Sequence, residues 1–183
     1  MEEDRMHAII CDIDNCFVDS REWHKHIPED NTDRAGWDRF LEQIHLCKPN
    51  RAVIDYVCAT AEILPIIFIT GREDRKDCRR NTIKQLNEFS RGYVDFYAPN
   101  CHHKLLMRSE FDYRPADEVK EEHLIKIVEA GYTPHIAIDD ELCNCKLYMR
   151  YRIPTIMYDI DTNTFKKCAY DIDIDDLCKF DTL

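Results

Sequence analysis

Residues 7–14 read His7-Ala-Ile-Ile-Cys-Asp-Ile-Asp14, a short apolar run rich in isoleucine that stops on two aspartates two positions apart. A strand buried on both faces of a parallel sheet needs a run of this length and composition. The form recurs: Leu64-Pro-Ile-Ile-Phe-Ile69 is closed by Thr70-Gly71-Arg72, and His135–Ile138 by Asp139-Asp140. Further strands are expected at Tyr93–Tyr97, Leu105–Met107 and Thr155–Tyr158. Helical spacing fills the intervals. It places Trp37, Phe40, Leu41 and Ile44 on one face, continues after Pro49 with Val53 and Val57, and returns over 73–89, 115–130 (capped by Gly131) and 141–150. Residues 15–36 are polar and irregular. Strands alternating with helices predict an α/β fold, a doubly wound, mainly parallel sheet covered on both faces. One domain is expected over residues 1–183, with 17–46 as a small cap-like insertion beside the cleft and 159–183 as an acidic C-terminal segment.

The bulk numbers agree with one globular domain. The chain has 183 residues, of which 44% are hydrophobic and 33% charged, with four glycines and seven prolines. Its formal net charge of -11 argues against an extended nucleic-acid-binding surface, which neutralises phosphates with Lys and Arg. A nucleotide or strand end held in a locally basic, metal-loaded cleft is compatible with it. Ten cysteines would suit a disulfide framework in a small secreted protein. However, Met1-Glu-Glu-Asp-Arg-Met6 has acidic residues where a signal peptide carries positive charge. Several cysteines, Cys11, Cys58 and Cys143 among them, also lie inside apolar patterns. No stretch approaches the roughly 20 apolar residues of a membrane span. A reducing cytoplasm is expected, the cell's own or an infected host's.

In an open α/β sheet, ligands bind beyond the carboxyl ends of the strands. Asp12 and Asp14, Thr70-Gly71-Arg72 and Asp139-Asp140 each terminate a different strand, and Lys120 lies on the helix between the last two. Each suits one task of phosphoryl transfer. Carboxylate and carbonyl oxygens at Asp12 and Asp14, with Asp139 and Asp140, suit a hard cation such as Mg2+. A carboxylate can attack phosphorus to give an aspartyl-phosphate, and a second one can protonate the leaving oxygen and then activate water. Thr70 and the amides after it can hold phosphoryl oxygens. Lys120 and Arg72 offset the charge on the transferring group.

The order DxD, apolar strand-TGR, Lys, apolar strand-DD resembles the haloacid dehalogenase (HAD) superfamily, from about Ile9 to Tyr158. The stretch Leu106-Met-Arg-Ser-Glu-Phe-Asp-Tyr-Arg-Pro-Ala-Asp-Glu-Val-Lys120 is similar to the phosphatase domain of phage polynucleotide kinase and related phage phosphatases. The resemblance implies the HAD-like Rossmannoid strand order and a Mg2+-dependent phosphatase. In it Asp12 is the nucleophile, Asp14 the general acid and base, and Lys120 the charge-stabilising lysine. Thr70, Gly71 and Arg72 would bind phosphate, Arg108 and Arg114 would contact the substrate phosphate, and Asp139 with Asp140 would be the acidic pair of the metal site. It also implies a phosphomonoester substrate, a 3′-phosphate on a nucleic-acid end or nucleotide. No G-x-x-x-x-G-K-[ST] is present, so the kinase half of the two-domain relatives is missing. A phosphatase for small metabolites and a non-catalytic binding protein on a degenerate HAD fold are the alternatives.

The loop departs from the usual DxDGT and reads Asp12-Ile-Asp14-Asn15-Cys16. Asn tolerates left-handed backbone and can stand in for Gly. Two decoys match the DxD pattern, Asp159-Ile-Asp161 and Asp171-Ile-Asp173-Ile-Asp175, but neither leaves room downstream for the remaining motifs. Cys101-His102-His103 with Cys143-x-Cys145 lacks the spacing of a standard zinc site. His24, His26 and His45 read as loop or surface residues.

Overall fold

The computed structural model describes residues 5–30 and 32–168. Among them the elements run β1 (Met6–Cys11), β2 (Val18–Asp19), α1 (Arg34–Gln43), β3 (Lys48–Pro49), α2 (Arg51–Ala61), β4 (Ile66–Glu73) and α3 (Lys76–Phe89). They continue with β5 (Lys104–Arg108), α4 (Ala116–Glu129), β6 (Tyr132–Asp139), α5 (Leu142–Arg150), β7 (Thr155–Asp159) and β8 (Thr164–Lys167). Six strands form one sheet in the order β5-β4-β1-β6-β7-β8. Every pairing is parallel except that of β7 with β8. The expected doubly wound architecture is therefore present.

Period-two alternation divides the apolar residues of β1 and β4 between two cores. Ile9, Cys11, Ile66 and Phe68 join Val53, Ile54, Val57 and Leu86 of α2 and α3. Ala8, Ile10, Ile67 and Ile69 join Leu124, Ile127, Leu147 and Tyr148 of α4 and α5. Both faces are thus covered, which explains why Ala8–Cys11 and Ile66–Ile69 are unbroken apolar runs. β1 sits between β4 and β6, where the strand order reverses, and the carboxyl ends of these three parallel strands share one edge. That edge carries the reactive residues, as the switch-point rule requires.

Described residues between 17 and 46, among them His24, Ile27, Trp37 and Phe40, lie over this edge. β2 and β3 form a two-stranded antiparallel ribbon, and residues Arg21–His26 make a 3-10 turn. α1 starts at Arg34, three residues earlier than the apolar spacing predicts, because Asp33 caps it by accepting from the Gly36 N–H at 3.1 Å. Phe40 and Leu41 of α1 are buried in the core. Arg34 reaches Glu73 and Glu110 at 2.8 Å each, and Arg75 reaches Asp38 at 2.7 Å. The Arg34 guanidinium also stands 4.5 Å from the Phe111 ring centre. α1 is therefore fastened to the end of β4 and to the loop after β5.

Two local expectations are corrected. Residues 93–97 form turns, not a strand. The edge of β4 is already taken by β5, and local side chains satisfy the backbone instead: Val94 N–H donates to Ser90 Oγ (3.1 Å) and Tyr97 N–H to Asp95 Oδ1 (2.9 Å). Only Val94 is buried, while Tyr93 and Tyr97 are exposed. Conversely, β8 forms at the start of the supposed acidic tail. All four of its residues are exposed, so no apolar pattern announces it; Phe165 packs its ring near Tyr158 and Tyr56, and Lys166 pairs with Asp159. Asp161 pairs with Arg21, so the first decoy is engaged in surface ion pairs. Asp171, Asp173 and Asp175 lie outside the described residues.

The nine described cysteines are free thiols. His103 Nδ1 accepts from the Ile66 N–H at 2.9 Å, a structural role rather than a metal-binding one. No helix among the described residues is long and apolar enough to cross a membrane.

Candidate active site

Asp12 leaves β1 with its backbone N–H bonded to Ile138 O of β6 at 2.9 Å, which fixes it at the sheet edge. The chain then turns back, closed by Val18 N–H donating to Ile13 O (2.9 Å) and Asn50 Nδ2 donating to Cys16 O (2.7 Å). Asn15 occupies the left-handed region with φ 60°, as expected of a residue standing in for glycine. Cys16 is fully buried beneath the loop.

Lys120 of α4 enters between two strand ends. Its Nζ lies 2.6 Å from Asp12 Oδ1 and 2.7 Å from Asp139 Oδ2, and all three side chains are buried. Burial alone would favour neutral Lys120, but Asp12 and Asp139 outweigh it and hold the ammonium well above its ordinary range. The second oxygen of Asp139 accepts from Asn144 Nδ2 (2.9 Å) and from the Glu141 N–H (3.1 Å). Asn144, fully buried on α5, also reaches Glu141 Oε2 at 2.9 Å. Sequence reasoning missed it; the available signal is a polar residue on the inward face of a helix, five positions after a strand-end aspartate.

Carboxylate oxygens of Asp12, Asp139 and Asp140 all lie within 4.8 Å of one another. Hard oxygen donors in this number suit a divalent cation completed by water and phosphate oxygens. Burial, then the proximity of Asp139, push the Asp140 carboxyl up to about 7. The side chain of Asp14 is not in this cluster.

Asp14 instead faces Arg72. Arg72 Nε and Nη2 each lie 2.8 Å from one Asp14 oxygen, while Nη1 reaches Thr82 Oγ1 (3.2 Å) and Gln85 Oε1 (3.0 Å). A register irregularity between Thr70 and Glu73 turns Arg72 into the core, where it is 2% exposed. The guanidinium expected to bind phosphate is thus engaged by Asp14, Thr82 and Gln85. Thr70 Oγ1 accepts from the Arg72 N–H at 3.2 Å, which leaves its own proton for another acceptor.

Arg108 Nε donates to Gly71 O, and Nη1 to Asp112 O and Arg114 O. Its Nη2 has no protein partner among the described residues. Arg114 is exposed at the rim and paired with Asp112 and Glu122 at 2.6 Å each. The resulting cleft, of about 330 Å³, is bounded by Asp12, Asp14, Thr70, Arg108, Lys120 and Asp140 on the sheet side, and by His24, Ile27, Trp37, Phe40 and Leu41 from the insertion. The sequence-predicted residues therefore gather at one cleft, apart from Asp139, which sits just beneath it.

This sheet order and this sequence of strand-end acids, lysine and acidic pair define a HAD-type phosphatase, a phosphoric monoester hydrolase. More narrowly, the chain belongs to the polynucleotide kinase PNKP phosphatase domain family, whose model matches residues 6–163. Its fold is similar to that of a chain in the Pnkp1/Rnl/Hen1 complex, with 18% identity and a TM-score of 0.62 over 84% of this chain and 46% of that one. The class C acid phosphatase from Bacillus anthracis with tungstate bound is also similar, at 17% identity and TM-score 0.50 over 78% and 54% of the two chains. The chain thus spans less than half the length of the Pnkp1-complex chain. No curated protein sequence matches significantly.

Proposed function

We propose that the protein hydrolyses phosphomonoesters through an aspartyl-phosphate on Asp12, with a 3′-phosphate of a nucleic-acid end or nucleotide as substrate. The observation carrying this reading is the buried Asp12–Lys120–Asp139 cluster beside a half-buried Asp140 and a separately held Asp14. Asp12, Asp139 and Asp140 would hold Mg2+. When bound, the cation supplies charge neutralisation for the phosphoryl oxygens.

The chain's own residues account for the remaining steps. Asp12 attacks phosphorus as the bond to the leaving oxygen breaks, and Asp14 gives that oxygen a proton. Asp14 then takes a proton from water, which attacks the aspartyl-phosphate, releases phosphate and restores Asp12. The two acids have different partners, Asp12 an ammonium and Asp14 a guanidinium fork. Lys120 faces the developing charge, with Thr70 and the open Nη2 of Arg108 placed for phosphate oxygens. Arg72 acts through Asp14, and Arg114 serves the rim.

The cleft volume and the wall contributed by α1 favour a single nucleotide or strand end over a long duplex, in keeping with the acidic net charge. The test is a panel of 3′-phosphorylated oligonucleotide, nucleoside monophosphates, sugar phosphates and an aryl phosphate, with and without Mg2+. Metal-dependent turnover that is highest on the 3′-phosphorylated end and abolished in Asp12→Asn is expected. A preference for sugar phosphates would overturn the substrate class. Equal turnover by Asp12→Asn would overturn the mechanism.

A further inference from the structure

One polar cluster of the cleft has no task in that reaction. Asn15 Oδ1 accepts from the Ser20 N–H at 3.3 Å and lies 3.0 Å from Ser20 Oγ. Asn15 Nδ2 is 3.3 Å from His24 Nε2, and Ser20 Oγ is 3.1 Å from the same ring nitrogen. All three residues line the cleft. An amide nitrogen can only donate, so His24 Nε2 is the acceptor and the ring proton sits on Nδ1, which has no protein partner among the described residues. The strand-end loop, through its left-handed Asn15, thereby fixes the tautomer of a histidine carried by the insertion.

The cluster adjoins the proposed acid of the reaction. Asn15 directly follows Asp14, the residue that protonates the departing oxygen. The His24 ring lies 6.5 Å from that of Phe40, with Trp37 and Ile27 along the same wall. An apolar wall with one oriented donor suits a ring system carrying acceptor atoms, such as a nucleoside. We propose that His24 is a specificity-determining residue, donating Nδ1–H to an acceptor on the sugar or base of a nucleoside leaving group, and that Asn15 positions it. This rests on the phosphatase reading above and adds the group that selects the alcohol.

The test measures kcat/KM with Mg2+ on a 3′-phosphorylated oligonucleotide and on p-nitrophenyl phosphate, for wild type, His24→Ala, His24→Asn, Asn15→Gly and the Asn15→Gly/His24→Ala double variant. The loss of one neutral hydrogen bond should lower the oligonucleotide-to-aryl ratio about threefold to tenfold in His24→Ala and in Asn15→Gly. The double variant should fall no further than His24→Ala, because Asn15 acts through the ring. His24→Asn, whose amide nitrogen replaces Nδ1, should keep most of the ratio. An unchanged ratio, or equal losses on both substrates, would overturn the proposal, the latter marking a structural role. Wild-type turnover of the aryl phosphate alone would overturn nucleoside selection and leave the phosphatase standing. No turnover of either substrate would overturn both.

Discussion

Arg72 grips Asp14 by both oxygens, at 2.8 Å on each side, from a position almost wholly inside the core. Lysine would keep the charge and lose the fork. In Arg72→Lys, kcat should drop about a hundredfold, the order expected when a catalytic group shifts by about 1 Å, with KM changing much less. Arg72→Ala should destabilise the fold by about 3–5 kcal/mol, because Thr82, Gln85 and Asp14 lose a buried partner. Steady-state kinetics and urea denaturation read the two effects separately. An unaltered kcat in Arg72→Lys would show that Asp14 needs no such orientation.

Asn144 and the Glu141 amide together fix one oxygen of Asp139, so the carboxylate is aimed before any cation arrives. Asn144→Ala should raise the half-saturating Mg2+ concentration about tenfold to a hundredfold, the usual effect of removing a group that orients a ligand. Activity at saturating Mg2+ should recover most of its wild-type value. A metal titration of hydrolysis checks this, and an unshifted midpoint contradicts it.

Without a divalent ion, the crowding of Asp140 sets a pH dependence of stability. Its folded pKa of about 7 lies above the ordinary 3.8, so between these values the native state keeps a proton that the unfolded chain has released. The contribution is present below about pH 4 and is lost as pH rises toward 7. In EDTA, Tm should fall across this window, and Asp140→Asn should flatten the fall. Added Mg2+ should raise Tm more at pH 8 than at pH 5, since the ligands must be deprotonated. Thermal melts at the two pH values decide the matter.

The insertion should also be separable from the sheet. Arg34 joins α1 to Glu73 and Glu110, while Glu73 keeps Arg75 nearby at 3.3 Å. Arg34→Ala should therefore leave the core folded and make the segment around Pro28 more open to limited proteolysis, with cleavage at least several-fold faster than in wild type. Identical cleavage rates would show that the apolar contacts of Phe40 and Leu41 suffice alone.

Much of this was legible in sequence because the buried stretches of β1, β4 and β6 are apolar and two of them stop abruptly at acids: Asp12 and Asp139 announce both the strand and the site edge. What could not be read depended on partners distant in sequence. Residues 93–97 have the residue types of a strand, yet β5 takes the edge of β4 and local side chains bond their backbone, and β8 is polar and exists through its pairing with β7. Nor does sequence reveal that Thr82 and Gln85, one turn apart on α3, share the Arg72 guanidinium with Asp14. His24 is exposed, as its polar surroundings in sequence suggest, but its contact with Asn15 could not be read from them.

Glu73 and Arg72 are consecutive residues of β4 that look in opposite directions, one holding α1 and the other holding Asp14. Drawing α1 away from the sheet pulls on the peptide unit that joins them. If Asp14 is the acid proposed above, any displacement of α1 would reach it through these two adjacent side chains.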